Sequence, residues 1–206
     1  MYAYLFDFDG TLVDSMPAFE GVVLQTLREF SIPHPDNVIE IINPMDTAAK
    51  TAYFMGLGVP AEFPHALGRH LYEEYTRTVP AKADVIETLH ELKNRGHSLN
   101  ILTAGPHLTL DPCLHRLGIW ELFDNVWSCD DIGADKSYPE TFHKVAGKLG
   151  LPLDKVLFCD DSPKALRTAK AAGMTVCGVY DASAASYEEE MRRLCDMYIH
   201  SFRELL

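Results

Sequence analysis

Four short apolar runs, rich in β-branched and aromatic residues, set the frame for this chain: Tyr2–Phe6, Leu99–Leu102, Val156–Cys159 and Thr175–Val179. Each is too short for a helix and is bounded by charges or turn formers, the pattern of strands buried on both faces of a parallel sheet. Parallel strands need crossovers, and two helical stretches supply them. Phe142, Val145, Ala146 and Leu149 keep helical spacing and stop at Gly150, while Ala165, Ala169 and Ala172 stop at Gly173. This alternation predicts an α/β fold with a doubly wound, mostly parallel sheet. Asn125–Trp127 and Met197–Ile199 read as weaker strands, and Ser186 with Glu189 as a capping box opening a helix through Met191 and Leu194.

One connection breaks this rhythm. Roughly 90 residues separate Phe6 from Leu99, whereas a crossover with its helix needs only about 10 to 12. The intervening chain carries two amphipathic stripes, Phe19/Val23/Leu27/Phe30 and Phe63/Leu67/Leu71/Tyr75, with turns at Pro33, Pro35, Pro44 and Pro60. A helix with Val85, Leu89 and Leu92, ending at Gly96, leads back to the sheet. The expectation is a helical cap over 16–80, inserted after the first strand of an α/β core made of 1–15 and 81–206.

Charge narrows the partners. Among 206 residues, 18 Lys and Arg face 30 Asp and Glu, a net charge of −12, with no basic run. Binding to nucleic acid or an anionic membrane needs clustered positive charge, so both are disfavoured, and the short apolar runs do not make a membrane span. Cys113, Cys129, Cys159, Cys177 and Cys195 are odd in number and form no CxxC, which argues against a disulfide framework or zinc knuckle. The first nine residues hold two acids rather than a basic signal start. A cytoplasmic protein acting on a small molecule is expected.

Ligands of open parallel sheets sit beyond the carboxyl ends of the strands. There this sequence places Asp7-Phe8-Asp9-Gly10-Thr11, Thr103-Ala104-Gly105 and Asp160-Asp161-Ser162-Pro163, with Lys136 in a loop before the helix that Pro139 opens. Four carboxylates and one lysine would converge, and like charges at that range cannot all ionise unaided. A hard divalent cation resolves the conflict, and all-oxygen ligands favour Mg2+ over Zn2+. Ser162-Pro163 is also a natural N-cap and first-turn pair. A rival acidic pair, Asp130-Asp131, has no cap-and-helix sequence after it and reads as structural or surface. Lys50, Arg28, Arg69, Arg77, His34 and His107 read as solvated side chains.

The segment Asp7–Ser15, DFDGTLVDS, resembles the first motif of the haloacid dehalogenase (HAD) superfamily, and Thr103, Lys136 and Asp160-Asp161 follow in the order of its other motifs. The nearest subgroup holds phosphoglycolate phosphatases and β-phosphoglucomutases with a helical cap. The resemblance implies a Mg2+-dependent phosphomonoesterase acting on a small phosphorylated metabolite through an aspartyl-phosphate, as a monomer or weak dimer. It implies Asp7 as nucleophile and metal ligand, and Asp9 as acid and base, with its backbone carbonyl on the metal. Thr103 and the backbone N–H groups of Phe8 and Ala104 would bind phosphoryl oxygens, and Lys136 would neutralise them. Asp161 would ligate the metal, with Asp160 a ligand or its outer partner. A phosphosugar mutase, a 2-haloacid dehalogenase and a non-catalytic phosphate-binding module are the alternatives; Asp9 and the Asp160-Asp161 pair speak against the dehalogenase. The chain departs from the family where relatives carry Asn and a basic residue after the second-motif Thr, here Ala104 and Gly105. Ser137 replaces the usual Pro after Lys136, and Pro112 is expected to interrupt the following helix. The cap stretch Asn43-Pro44-Met45-Asp46-Thr47, where relatives keep a specificity loop, lacks the Arg of a mutase.

Overall fold

In the computed structural model, which describes residues 3–45 and 47–206, β1 (Ala3–Phe6) is followed by five helices before the next strand, the first four of them within residues 16–77. These are α1 (Met16–Glu29), α2 (Val38–Ile42), α3 (Thr47–Gly56) and α4 (Phe63–Arg77). The chain continues through α5 (Val85–Asn94), β2 (Ser98–Thr103), α6 (His107–Leu117), β3 (Asn125–Ser128), α7 (Cys129–Ile132) and α8 (Pro139–Leu149). It ends with β4 (Val156–Asp160), α9 (Pro163–Ala172), β5 (Thr175–Val179), α10 (Glu188–Leu194) and β6 (Met197–Ile199). All six strands form one parallel sheet in the order β3-β2-β1-β4-β5-β6. Every expected strand is present; Tyr2 lies outside the described residues.

The strand order reverses direction at β1, so a crevice opens beyond its carboxyl end, between β2 and β4. Phe6 is level with both Ile101 and Cys159, which brings the chain beyond β1, β2 and β4 to one height. Side chains of β1 alternate between the two faces: Tyr4 and Phe6 join a cluster with Leu89 and Leu110 of α5 and α6, while Ala3 and Leu5 join Phe142 and Leu166 of α8 and α9. Burial on both faces is what demanded a continuous apolar run. A third cluster, Val23, Leu27, Val38, Ile42, Phe54 and Phe63, belongs to the four helices between β1 and α5. Helix α4 joins the two regions, with Phe63 in this cluster and Tyr75 in the core cluster.

The structure corrects two expectations and adds three helices, α2, α3 and α7, among the described residues. Ser186 does not open a helix: the Asp181 carboxylate accepts from the Ser183 N–H at 2.9 Å and starts a 3-10 turn, Ala182–Tyr187, that runs through it, and α10 begins at Glu188 without a side-chain cap. Capping boxes form instead at Ser128 with Asp131 and at Ser201 with Glu204. Pro112 lies inside an unbroken α6. The carbonyl it leaves without a partner is that of Leu108, an exposed residue, where water can replace the lost N–H. The short helices α2 and α3 lie between the two expected stripes. Cys113, Cys129, Cys159 and Cys177 are free and buried, as packing residues would be. No helix among the described residues is long and apolar enough to cross a membrane.

Candidate active site

The turn after β1 builds the floor of the site. The Phe8 carbonyl accepts from the N–H groups of Thr11, Leu12 and Val13 at 3.3, 2.9 and 3.1 Å, which folds the chain back tightly around Gly10. Gly10 has φ +72°, and a Cβ there would lie 2.6 Å from Asp161 Oδ2, so both conformation and space require glycine. Thr11 Oγ1 donates to Asp161 Oδ1 at 2.9 Å, fixing that carboxylate from the side.

Lys136 joins the motifs. Its ammonium donates to Asp7 Oδ1 at 2.8 Å and to Asp160 Oδ2 at 2.7 Å, and it is buried rather than solvated. Its loop is held by Ser137 N–H donating to Asp135 Oδ1 at 2.8 Å and Thr141 Oγ1 donating to the Asp135 carbonyl at 2.6 Å. The remaining oxygen of Asp160 accepts from Ser162 N–H at 2.7 Å, so both of its oxygens are engaged within the protein. Ser162 is the N-cap residue of α9 and Pro163 opens the helix, but the serine hydroxyl makes no cap bond.

Asp7, Asp160 and Asp161 each offer an oxygen, all within 4.8 Å of one another. Burial pushes Asp160 up to about 6 even though Lys136 opposes the shift. Burial likewise holds Asp161 well above the usual carboxylate range, with Asp160 and Asp7 adding to the effect. For Lys136 burial alone would lower the pKa, but the carboxylates of Asp160 and Asp7 more than offset it and the ammonium form is favoured. Asp9 is raised by burial, partly countered by the hydrogen bond that the Tyr75 hydroxyl donates to its Oδ1.

Thr103 is buried at the end of β2, and its Oγ1 accepts from Gly105 N–H at 3.0 Å. Ala104 is exposed and, with Lys136 and Ser137, lines a space of about 210 Å3. Beside it a cavity of about 550 Å3 has Asp7, Asp9 and Asp161 on one side and Asn43 and Lys50 on another. Of the stretch 43–47, Asn43, Pro44, Met45 and Thr47 line one or both spaces, and Asp46 lies outside the described residues. Lys50 sits 4.8 Å from the centre of the Phe19 ring. The rival Asp130-Asp131 pair is structural: Asp131 accepts from Ser128 N–H at 2.8 Å and closes the α7 capping box. His107 bridges Asp111 and Asp131, each at 2.7 Å, outside the carboxylate cluster. Arg69 faces Glu29 at 3.9 Å. Tyr75 was legible only as one member of an apolar stripe; its signal is that a buried tyrosine hydroxyl needs a polar partner.

The sequence profile of the haloacid dehalogenase-like hydrolases matches residues 4–179. The chain belongs to that family. A phosphoglycolate phosphatase from Salmonella typhimurium is 31% identical over 199 residues, covering 84% of this chain and 79% of the relative. Two solved structures share the fold across the whole chain. A predicted phosphoglycolate phosphatase from Haemophilus somnus aligns with a TM-score of 0.83 at 23% identity over 96% of its length. CbbY from Rhodobacter sphaeroides, solved with phosphate, aligns at 0.83 with 20% identity over 96%. This member is thus an enzyme of the phosphatase-like branch of the haloacid dehalogenase-like hydrolases. Its donor set suits a Mg2+ ion: three clustered carboxylates, one lysine offsetting part of their charge, and a missing Cβ at Gly10 against which Asp161 is seated.

Proposed function

We propose that this chain is a Mg2+-dependent phosphomonoesterase of a small phosphorylated metabolite, working through an aspartyl-phosphate on Asp7, with residues 16–80 as a helical cap over the core. The observation that carries the reading is the Lys136 ammonium, bound to both Asp7 and Asp160 inside a cluster of three carboxylates. Lys136 engages Asp7 Oδ1 and leaves Oδ2 to attack phosphorus. Asp7 and Asp161, with the backbone carbonyl of Asp9, would hold the metal, while Asp160 spends its oxygens on Lys136 and Ser162 and holds the lysine in place. A bound Mg2+ supplies the positive charge that lets a carboxylate approach a phosphate dianion.

The residues then divide two displacements between them. In the first, the Asp7–phosphorus bond forms, the ester oxygen–phosphorus bond breaks, and Asp9 delivers its proton to the leaving oxygen. In the second, water attacks phosphorus, Asp9 takes the water's proton, and the bond to Asp7 breaks to release phosphate. Thr103 already accepts a hydrogen bond from Gly105 N–H, so its hydroxyl hydrogen is available for a phosphoryl oxygen, beside the backbone N–H groups of Phe8 and Ala104. The ammonium of Lys136 offsets charge on the transferred group.

The substrate class is supported by the Salmonella relative and by a cavity bordered by both acidic and basic side chains. Free thiols and an acidic surface suit a cytoplasmic enzyme, acting as a monomer or weak dimer. The deciding measurement is turnover of p-nitrophenyl phosphate with Mg2+ and with EDTA, for wild type and Asp7→Asn. Metal-dependent turnover that Asp7→Asn abolishes is expected. Metal-independent release of halide from a 2-haloacid would overturn the reading.

A further inference from the structure

We infer that Tyr75 and Gly105 are positioning residues that together fix which oxygen of Asp9 faces the reacting phosphoryl group. The Tyr75 hydroxyl donates to Asp9 Oδ1. That donor is rigid: the tyrosine is buried in the core cluster, and its ring centre lies 6.3 Å from that of Phe8. Its helix is pinned from the core by Arg116 of α6, which donates to the Tyr75 carbonyl at 3.2 Å and to the Val79 carbonyl. The other oxygen, Asp9 Oδ2, lies 3.2 Å from where a Cβ on Gly105 would stand, and Thr103 Oγ1 lies 3.4 Å from the same point. Asp9 Oδ2 therefore sits on the Thr103 side, in space that Gly105 leaves open.

The chemistry follows from hydrogen-bond bookkeeping. The carbonyl-type oxygen of a carboxyl group is the better acceptor, so while Oδ1 accepts from the Tyr75 phenol a proton on Asp9 is favoured on Oδ2. Tyr75 thus selects the donor oxygen, and Gly105 keeps that oxygen from being pushed away. A methyl group at residue 105 is not excluded by the backbone, which lies outside the left-handed region, but it would force Oδ2 back by a few tenths of an ångström. Because Tyr75 belongs to α4, the aim of Asp9 is set by the segment proposed as the cap.

This inference rests on the reading of Asp9 as the proton donor, and the experiment separates the two. Tyr75→Phe, Gly105→Ala and Asp9→Asn are compared with wild type on p-nitrophenyl phosphate, whose leaving group needs little protonation. The second substrate is whichever alkyl ester turns over fastest among glycerol phosphate, sugar phosphates and phosphoglycolate. For Tyr75→Phe and Gly105→Ala, kcat/KM, which reports formation of the aspartyl-phosphate and not its later hydrolysis, should fall about tenfold or more on the alkyl ester and less than about threefold on the aryl ester. Equal losses on the two esters would overturn it. If Asp9→Asn shows the split and the other two do not, the positioning role fails and the role of Asp9 stands. If Asp9→Asn shows no split, the acid role fails and the inference falls with it. Gly105→Ala perturbs Asp9 from a loop, so it tests the inference even where Tyr75→Phe does not fold.

Discussion

Replacing Lys136 by Met removes one charge and leaves two buried carboxyl groups facing each other. Asp7 and Asp160 are 7% and 0% exposed, and their distances to the ammonium are 2.8 and 2.7 Å, so both bonds are lost where solvent can compensate little, least of all at Asp160. Deleting one partner of such a buried pair costs about 3–5 kcal/mol, because the remaining charge is uncompensated. In a chain of this size each kcal/mol moves Tm by about 2–4 °C, so the midpoint should drop by roughly 6–20 °C at pH 8. Acidity should relieve the loss. Burial holds Asp160 at about 6 in the folded protein even with the lysine present, above the unfolded carboxyl value of about 3.9. Between these values the folded state binds more protons, so this group's contribution to stability increases as pH falls through about 6. Without Lys136 the folded value rises further, and protonation removes most of the uncompensated charge. Thermal and urea midpoints of wild type and Lys136→Met, measured in EDTA at pH 8 and pH 5, should show a large deficit that shrinks on acidification. An undiminished midpoint at pH 8, or a deficit that grows toward pH 5, would refute the argument.

Two smaller perturbations test the surroundings of the site. Thr11→Val deletes the 2.9 Å bond to Asp161 and should raise the Mg2+ concentration for half-maximal activation by about tenfold, as loss of an outer-shell partner does, with little change in Tm. His107 has its pKa raised by hydrogen bonds to Asp111 and Asp131, so the stability it adds is fully present below its unfolded value of about 6.5 and is lost as pH rises through the raised one. Since all three side chains are partly exposed, His107→Gln should lower stability by less than about 1 kcal/mol at pH 5.5 and by almost nothing at pH 9, read from urea midpoints.

The sheet and the charged half of the site were readable because their causes are local. Tyr4, Leu5 and Phe6 are apolar in succession since both faces of β1 are covered, and an acid directly after such a strand stands out against that background. Gly150 and Gly173 announced helix ends because the left-handed residue after each helix favours glycine. What escaped depends on distant neighbours. Tyr75 has the spacing of a packing residue, and only the crossing of α4 over the β1 turn shows that its hydroxyl meets Asp9. Gly105 reads as a loop glycine until the position of Asp9 Oδ2 is known. Ser186 and Glu189 had the right spacing for a capping box, but Asp181, five residues earlier, starts the turn first and takes Ser186 into it.

The acidity of the whole chain and that of the site have opposite consequences. A net charge of −12 repels a phosphate ester at long range, but screening in cellular salt confines that field to about 8 Å, so what the substrate meets on arrival is the local set. There, one ammonium stands against Asp7, Asp160 and Asp161, and burial pushes the last two toward their neutral forms. Neutral carboxyls are poor ligands, so a site that is to hold a cation must release protons as it does so. Acidity works against that exchange at Asp161, so Mg2+ affinity should decline as pH falls while protonation relieves the folded protein of charge. Stability and metal loading therefore draw on the same carboxylates with opposite dependence on pH. On the roles proposed above, Lys136 on Asp7 and Asp160, and not on Asp161, would offset the charges of the attacking group and its support and leave the third carboxylate for the metal.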